Sequence, residues 1–192
     1  LDLDTRSMTS PYREWADDEG VPIHRGFAVR DLAEVETGPW ALTGQDGALI
    51  NLFGMEGIDD LHVHDIAPGE CTSEQSHFYH EIVYVLEGNG FSRIGHGEHE
   101  HRFEWSRNAV FAIPRNTPYQ HFNVSEDDRV RLVAQTDLPQ LLDVIRDEEF
   151  VFGSTFDFWT KYYEADAYSA EGATGTVFED RYEEGNAPIS WE

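Results

Sequence analysis

Apolar and alternating runs recur through the middle of this chain, cut by Gly, Pro, Asn and Asp. The β-type runs are Ala48–Phe53, Leu61–Ile66, Ile82–Leu86, Phe91–Ile94, Arg102–Trp105, Ala109–Ile113, Tyr119–Val124 and Val130–Thr136. Short strands at regular spacing with turn residues between them predict an all-β sandwich or barrel over residues 48–136. Residues 1–47 carry turn signals at Ser10-Pro11, Gly20 and Gly38-Pro39 and read as an N-terminal arm with a short helix around Tyr12 to Asp17. Pro139 to Arg146 reads as one short helix after the barrel, with proline in its first turn. The rest of the segment 137–192 is acidic and aromatic (Phe150, Phe152, Phe156, Phe158, Trp159, Tyr162, Tyr163). Aromatics at that density predict packing on the barrel, on a second subunit or over the mouth of a pocket.

Composition narrows the class. The 192 residues suffice for one domain with a full core, and 40% are hydrophobic. No run approaches the roughly 18 apolar residues of a membrane span, and Leu1 to Asp18 is polar and acidic, unlike a signal peptide. Cys71 is the only cysteine, so an intramolecular disulfide is excluded and a reducing, cytoplasmic setting is expected. The formal net charge is −25, and Lys161 is the only lysine. Such a surface repels nucleic acid and anionic membrane. It also suggests adaptation to a salty, halophilic cytoplasm, where screening removes the cost of self-repulsion.

The candidate chemistry lies in two segments. From Gly69 to Gly88 the chain places Gln75, His77 and Glu81 just before the run Ile82–Leu86. From Pro114 to Asn123 it places Tyr119, His121 and Asn123 on one face of an extended run. Two imidazoles and a carboxylate are the ligand set of mononuclear non-haem metal sites. Gln75 either ligates through its amide oxygen or bonds a metal-bound water.

The spacing resembles the first motif of the cupin superfamily: Gly69, five residues, a ligand position, one residue, His77, three residues, Glu81, six residues, Gly88. Gln75 stands where cupins usually have His. A looser resemblance to the second motif runs from Ala109–Pro114 to His121 and Asn123, with Asn108 and Asn116 at positions that favour Gly. Tyr119 stands at the usual His position, and His121 lies two residues later, about 6–7 Å along a strand. Either a longer turn restores His121 to the ligand place, the preferred reading, or Tyr119 occupies it.

The resemblance implies a cupin-type antiparallel β-barrel (jelly roll) with a short helix and N- and C-terminal extensions. It implies one divalent ion, Fe(II) or Mn(II) ahead of Ni(II), Zn(II) or Cu(II), held by His77, His121 and Glu81 with Gln75. Three open positions on such an ion would suit a dioxygenase acting on a small oxygen-rich molecule, with Glu81 and Tyr119 as its catalytic side chains. Non-redox isomerase, decarboxylase or lyase chemistry on the same ion is the alternative, as is a small-molecule-binding cupin without turnover. A homodimer is expected, since cupins commonly dimerise. The remaining histidines are read as peripheral. His80 is expected on the surface, His62 and His64 as an exposed pair ahead of a place lining the pocket mouth, and His96, His99 and His101 in a solvated hairpin. Arg93, Arg102 and Arg115 are expected in surface ion pairs, and Phe53, Phe91, Phe103 and Phe111 as inward-facing pocket residues.

Overall fold

The structure is a computed structural model that describes residues 10–156. Its elements are α1 (Pro11–Asp18), β1 (Ile23–Gly26), β2 (Gly38–Trp40), β3 (Gln45–Leu52), β4 (Asp60–Ile66), β5 (Glu81–Glu87), β6 (Asn89–Ile94), β7 (His101–Ser106), β8 (Val110–Ile113), β9 (Tyr119–Asn123), β10 (Val130–Thr136), α2 (Leu138–Ile145) and α3 (Glu148–Gly153). Every strand expected from the hydrophobic pattern is present, with ends within three residues of expectation. Phe158, Trp159, Tyr162 and Tyr163 lie outside the described residues.

Two sheets form a jelly roll. The larger runs β1-β3-β4-β10-β5-β8, with β2 also paired to β3; the smaller runs β7-β6-β9. All pairings are antiparallel except β1 with β3. The core between the sheets draws Ile66, Val83, Val85, Ile113, Val130, Leu132 and Ala134 from the larger sheet. Ile94, Phe103, Trp105 and Tyr119 come from the smaller one. Bridges from Gln75 to Tyr119 and from Cys71 to Phe122 tie the β4–β5 connection to β9.

The N-terminal arm is more deeply built in than an extension on a finished barrel. β1 and β2 add to the β3 edge. α1 places Tyr12, Trp15 and Ala16 in a second apolar cluster with Trp40, Leu49, Tyr79, Leu138, Leu142 and Val151. Ser10 caps α1 by accepting from the Arg13 amide, and its hydroxyl donates to Asp143 Oδ1 at 2.7 Å, locking α1 to α2. A third cluster of Val35, Ala48, Ile50 and Val63 fills the other face of β3 and β4. β4 is therefore buried on both faces, which is what places its histidines inside the molecule.

Candidate metal centre

In a strand, alternate residues share a face. Asp60, His62, His64 and Ile66 share one face of β4, and Ile66 belongs to the core between the sheets. Register carries that face across the sheet: Thr136 lies opposite both Asp60 and Glu81, Ala134 opposite both His62 and Val83. Ala134 is the small side chain in this row, and its size leaves room beside His62. The expectation that His62 and His64 form an exposed pair is corrected: they are 0% and 6% exposed. An His-x-His alternation reads as a solvent-facing strand only when the intervening residues face the sole core. Here Leu61 and Val63 have an apolar cluster of their own on the opposite face.

His62, His64 and Glu81 form a group whose ligand atoms all lie within 4.8 Å of one another. His62 Nδ1, His64 Nδ1 and Glu81 Oε1 are buried without a hydrogen-bond partner. Such orphans are costly, about 1–3 kcal/mol each, more for a charged group. Two imidazoles and one carboxylate are also a common donor set for a divalent transition ion. Ligand atoms on one ion sit about 3–4 Å apart when each bond is about 2.1 Å, so a small inward movement of these side chains would close the set. The residues present fit such an ion.

The surroundings fix the donors. His62 Nε2 faces Asp60 Oδ2 at 3.0 Å, which sets its ring proton on Nε2 and leaves the Nδ1 lone pair free. Asp60 also accepts from the Tyr12 hydroxyl at 2.7 Å and from Thr136. His64 stacks on Trp40 with centroids 5.4 Å apart and planes 3° from parallel. Gly47 makes that stack possible, since a Cβ there would lie 2.4 Å from Trp40 Cε3. A surface groove of about 760 Å³ adjoins Trp40, lined among others by Glu19, Gln45, Asp65 and Arg129. Burial, reinforced by the neighbouring His62, His121 and His77, pushes the His64 pKa well down. Burial also disfavours charge on His62, but the Asp60 carboxylate outweighs it and leaves that pKa raised. Burial lifts Glu81 to about 7 against the pull of His62 and Tyr119.

The residues expected from the sequence to hold the ion are buried as well: Gln75 is 9% exposed, His77 2%, Glu81 2%, Tyr119 3% and His121 3%. Their partners differ. His77 Nδ1 donates to the Tyr79 carbonyl at 2.8 Å, and its ring lies on that of Tyr79 at 3.5 Å. His77 Nε2 therefore accepts from the Tyr119 hydroxyl at 2.9 Å. The same hydroxyl is 3.2 Å from Gln75 Oε1 and interacts with the Glu81 carboxyl, and His77 Nε2 is 3.8 Å from Glu81 Oε1. Tyr119 is thus the β9 side chain that meets Gln75 and His77. His121 bonds Ser92 Oγ through Nδ1 at 2.7 Å, and that serine accepts from Trp105 Nε1 at 2.8 Å. Burial pulls both His77 and His121 down to about 3, so both rings are neutral at neutral pH.

Several peripheral expectations can also be placed. His80 is exposed and pairs with Asp137. Arg102 and Arg115 form ion pairs with Glu104 and Asp137, and Arg93 bonds Gln120. Phe103 is in the core and Phe111 packs against it. Phe53 is corrected to a surface position at 45% exposure. Phe91 is corrected to the outer face of the small sheet, stacked on Phe122 at 4.5 Å under the Arg102 guanidinium. The sequence reading missed Asp60, the carboxylate that orients His62; its place two residues before His62 on one strand face was the available signal. It also missed the buried pair Arg131–Asp65, bonded at 2.6 and 2.5 Å.

Comparison with known proteins agrees with this architecture. Residues 62–135 match the family model described as Cupin domain. No curated protein sequence gives a significant match. Among solved structures, the chain is similar to the Schizosaccharomyces pombe Cnp3 cupin domain at 18% identity and TM-score 0.48, covering 68% of this chain and 78% of that one. It is similar to the plu4264 protein of Photorhabdus luminescens at 16% identity and TM-score 0.47, covering 62% and 95%. For Lactobacillus farciminis oxalate decarboxylase the values are 13% and 0.46, covering 55% and 32%. The His-rich face of β4, Glu81 and the motif residues through β9 all fall inside the matched span, so over residues 62–135 the chain matches a cupin domain.

Proposed function

We propose that this protein is a metal-dependent cupin enzyme whose ion, Fe(II) or Mn(II), is held by His62, His64 and Glu81, and that it acts as a dioxygenase on a small oxygen-rich organic molecule. One observation carries the reading: each of the three side chains with converging ligand atoms also carries a buried polar atom without a hydrogen-bond partner. Burying two imidazole nitrogens and a carboxylate oxygen without partners is costly, and an ion held among these side chains would remove that cost. Bound there, the ion would supply Lewis acidity and an electron for O2, with positions left open by a three-residue ligand set.

The chain's own groups support that use. Asp60 holds the His62 ring in the tautomer that presents Nδ1. Glu81 contributes the single negative charge of the set. Tyr119 lies beside Glu81 and can orient a substrate oxygen through its hydroxyl. Tyr79, Trp40 and Trp15 surround His62 and keep bulk water from the pocket.

The test is elemental analysis after anaerobic loading with Fe(II) or Mn(II), followed by oxygen uptake with a panel of small hydroxy- and keto-acids. One ion per chain, lost in Glu81→Gln, together with substrate-dependent oxygen uptake, is the expected result. Turnover that persists without oxygen would overturn the dioxygenase assignment. Failure to retain any ion would overturn the metal assignment itself.

A further inference from the structure

The pocket offers two neighbouring places for an ion, sharing Glu81, and they differ in one respect. At the first, Gln75, His77 and Glu81 converge, but the Tyr119 hydroxyl already sits among them. It lies 2.9 Å from His77 Nε2 and 3.2 Å from Gln75 Oε1. At the second, His62, His64 and Glu81 converge with no donor between them. An ion bonded at about 2.1 Å to His77 and Glu81 would occupy the volume of that hydroxyl oxygen. We propose that Tyr119 is the side chain that decides where the ion sits: its hydroxyl fills the Gln75–His77–Glu81 position and confines the ion to His62, His64 and Glu81.

The fold holds Tyr119 in that role. Its backbone exchanges two hydrogen bonds with Gln75, at 2.9 and 3.0 Å, so phenol and amide are pinned as a pair. Its ring belongs to the core between the sheets. The His77 ring cannot turn away to offer a lone pair elsewhere, because Nδ1 donates to the Tyr79 carbonyl and the ring lies flat on Tyr79. The Tyr119 hydroxyl serves His77 as a neutral donor in place of a cation, with Gln75 Oε1 3.2 Å away. The His62–His64 place has no such substitute. This inference rests on the metal reading above and adds to it the residue that selects the site.

The experiment measures Co(II) affinity by equilibrium dialysis and the visible Co(II) spectrum in the full chain. The variants are His64→Gln and His77→Gln, each alone and in a Tyr119→His background. In the unmodified chain, His64→Gln is expected to weaken binding about tenfold or more, and His77→Gln by less than about threefold. In Tyr119→His the hydroxyl is gone and an imidazole takes its place. His77→Gln is then expected to cost about tenfold or more, with a changed Co(II) spectrum. Should Tyr119→His fail to fold, the two single variants still decide. Equal sensitivity to His64→Gln and His77→Gln in the unmodified chain overturns the selection by Tyr119 while leaving a metal site standing. No Co(II) bound by any folded form overturns both readings.

Discussion

At the scale of single residues, His62 and His77 differ in what meets the unprotonated ring nitrogen: the Tyr119 hydroxyl at His77 Nε2, and no hydrogen-bond partner at His62 Nδ1. His77 and His121 each use Nδ1 for a local partner, the Tyr79 carbonyl and the Ser92 hydroxyl. His62 is different because a carboxylate takes its Nε2 proton, and Asp60 is itself held by Tyr12 and Thr136. A carboxylate behind a ligating imidazole fixes its orientation and raises its basicity, and loss of such a partner typically costs 10–100-fold in metal affinity. Asp60→Asn should therefore lower affinity for Co(II) or Mn(II) by about 10–100-fold while His62 itself is untouched. Titration of the folded variant checks this, and an affinity within about twofold of the parent would show that Asp60 has no part in the site.

At the scale of elements, α1 walls the candidate metal site. Trp15 is 5% exposed and stacks on His62 at 6.2 Å and on Phe152 at 5.7 Å, bridging the arm, the site and α3. Trp15→Ala should cost about 3–5 kcal/mol by chemical denaturation, the range for a large buried aromatic. A loss under about 1 kcal/mol would mean that the arm is a loose appendage. The helix itself was legible at Tyr12 to Asp17, but its packing could not be read from residues 1–47, although the barrel strands could. Those strands announce themselves through turn residues at both ends and a repeating period. β1 (Ile-His-Arg-Gly) is four residues, half exposed, and held by a parallel partner far along the chain, so nothing local marks it. The site was legible in part for a similar reason. Motif spacing located Gln75, His77, Glu81 and the neighbourhood of Tyr119. Period-two alternation on β4 separates two faces but does not say which is inside. His62 and His64 faced the interior because the arm buries the opposite face as well.

For the molecule as a whole, two balances of charge act in opposite directions. Inside, His64, His77 and His121 are held neutral by burial, well below their ordinary range, while Glu81 is raised to about 7. Between about pH 6.5 and 4.5 the unfolded chain binds a proton on each of those three histidines that the folded chain does not. The folded chain holds one on Glu81 that the unfolded chain has released. The unfolded state is then ahead in bound protons, so stability of the metal-free protein should fall as pH drops through this window. His121→Asn should make that slope shallower in urea melts across the window; an unchanged slope would show that His121 does not contribute. Over the whole sequence, 38 acidic residues face 13 basic ones, and on the surface ion pairs such as Arg25–Asp17, Arg102–Glu104, Arg115–Asp137 and Arg129–Glu87 hold basic residues against acidic neighbours. The remaining negative charge repels itself, and that repulsion depends on the solvent. The Debye length is about 10 Å at 0.1 M salt and about 3 Å at 1 M. Raising salt shortens the reach of many repulsive pairs while the buried Arg131–Asp65 pair, at 2% and 9% side-chain exposure, is screened little. Folding confines the charge in a smaller volume than the unfolded chain does, so screening favours the folded state. The melting temperature should therefore rise from dilute buffer to about 1 M KCl, and KCl and NaCl should act alike because the effect is screening. A melting temperature that stays level across that range would show that the acidic surface serves dispersal and carries no cost in stability.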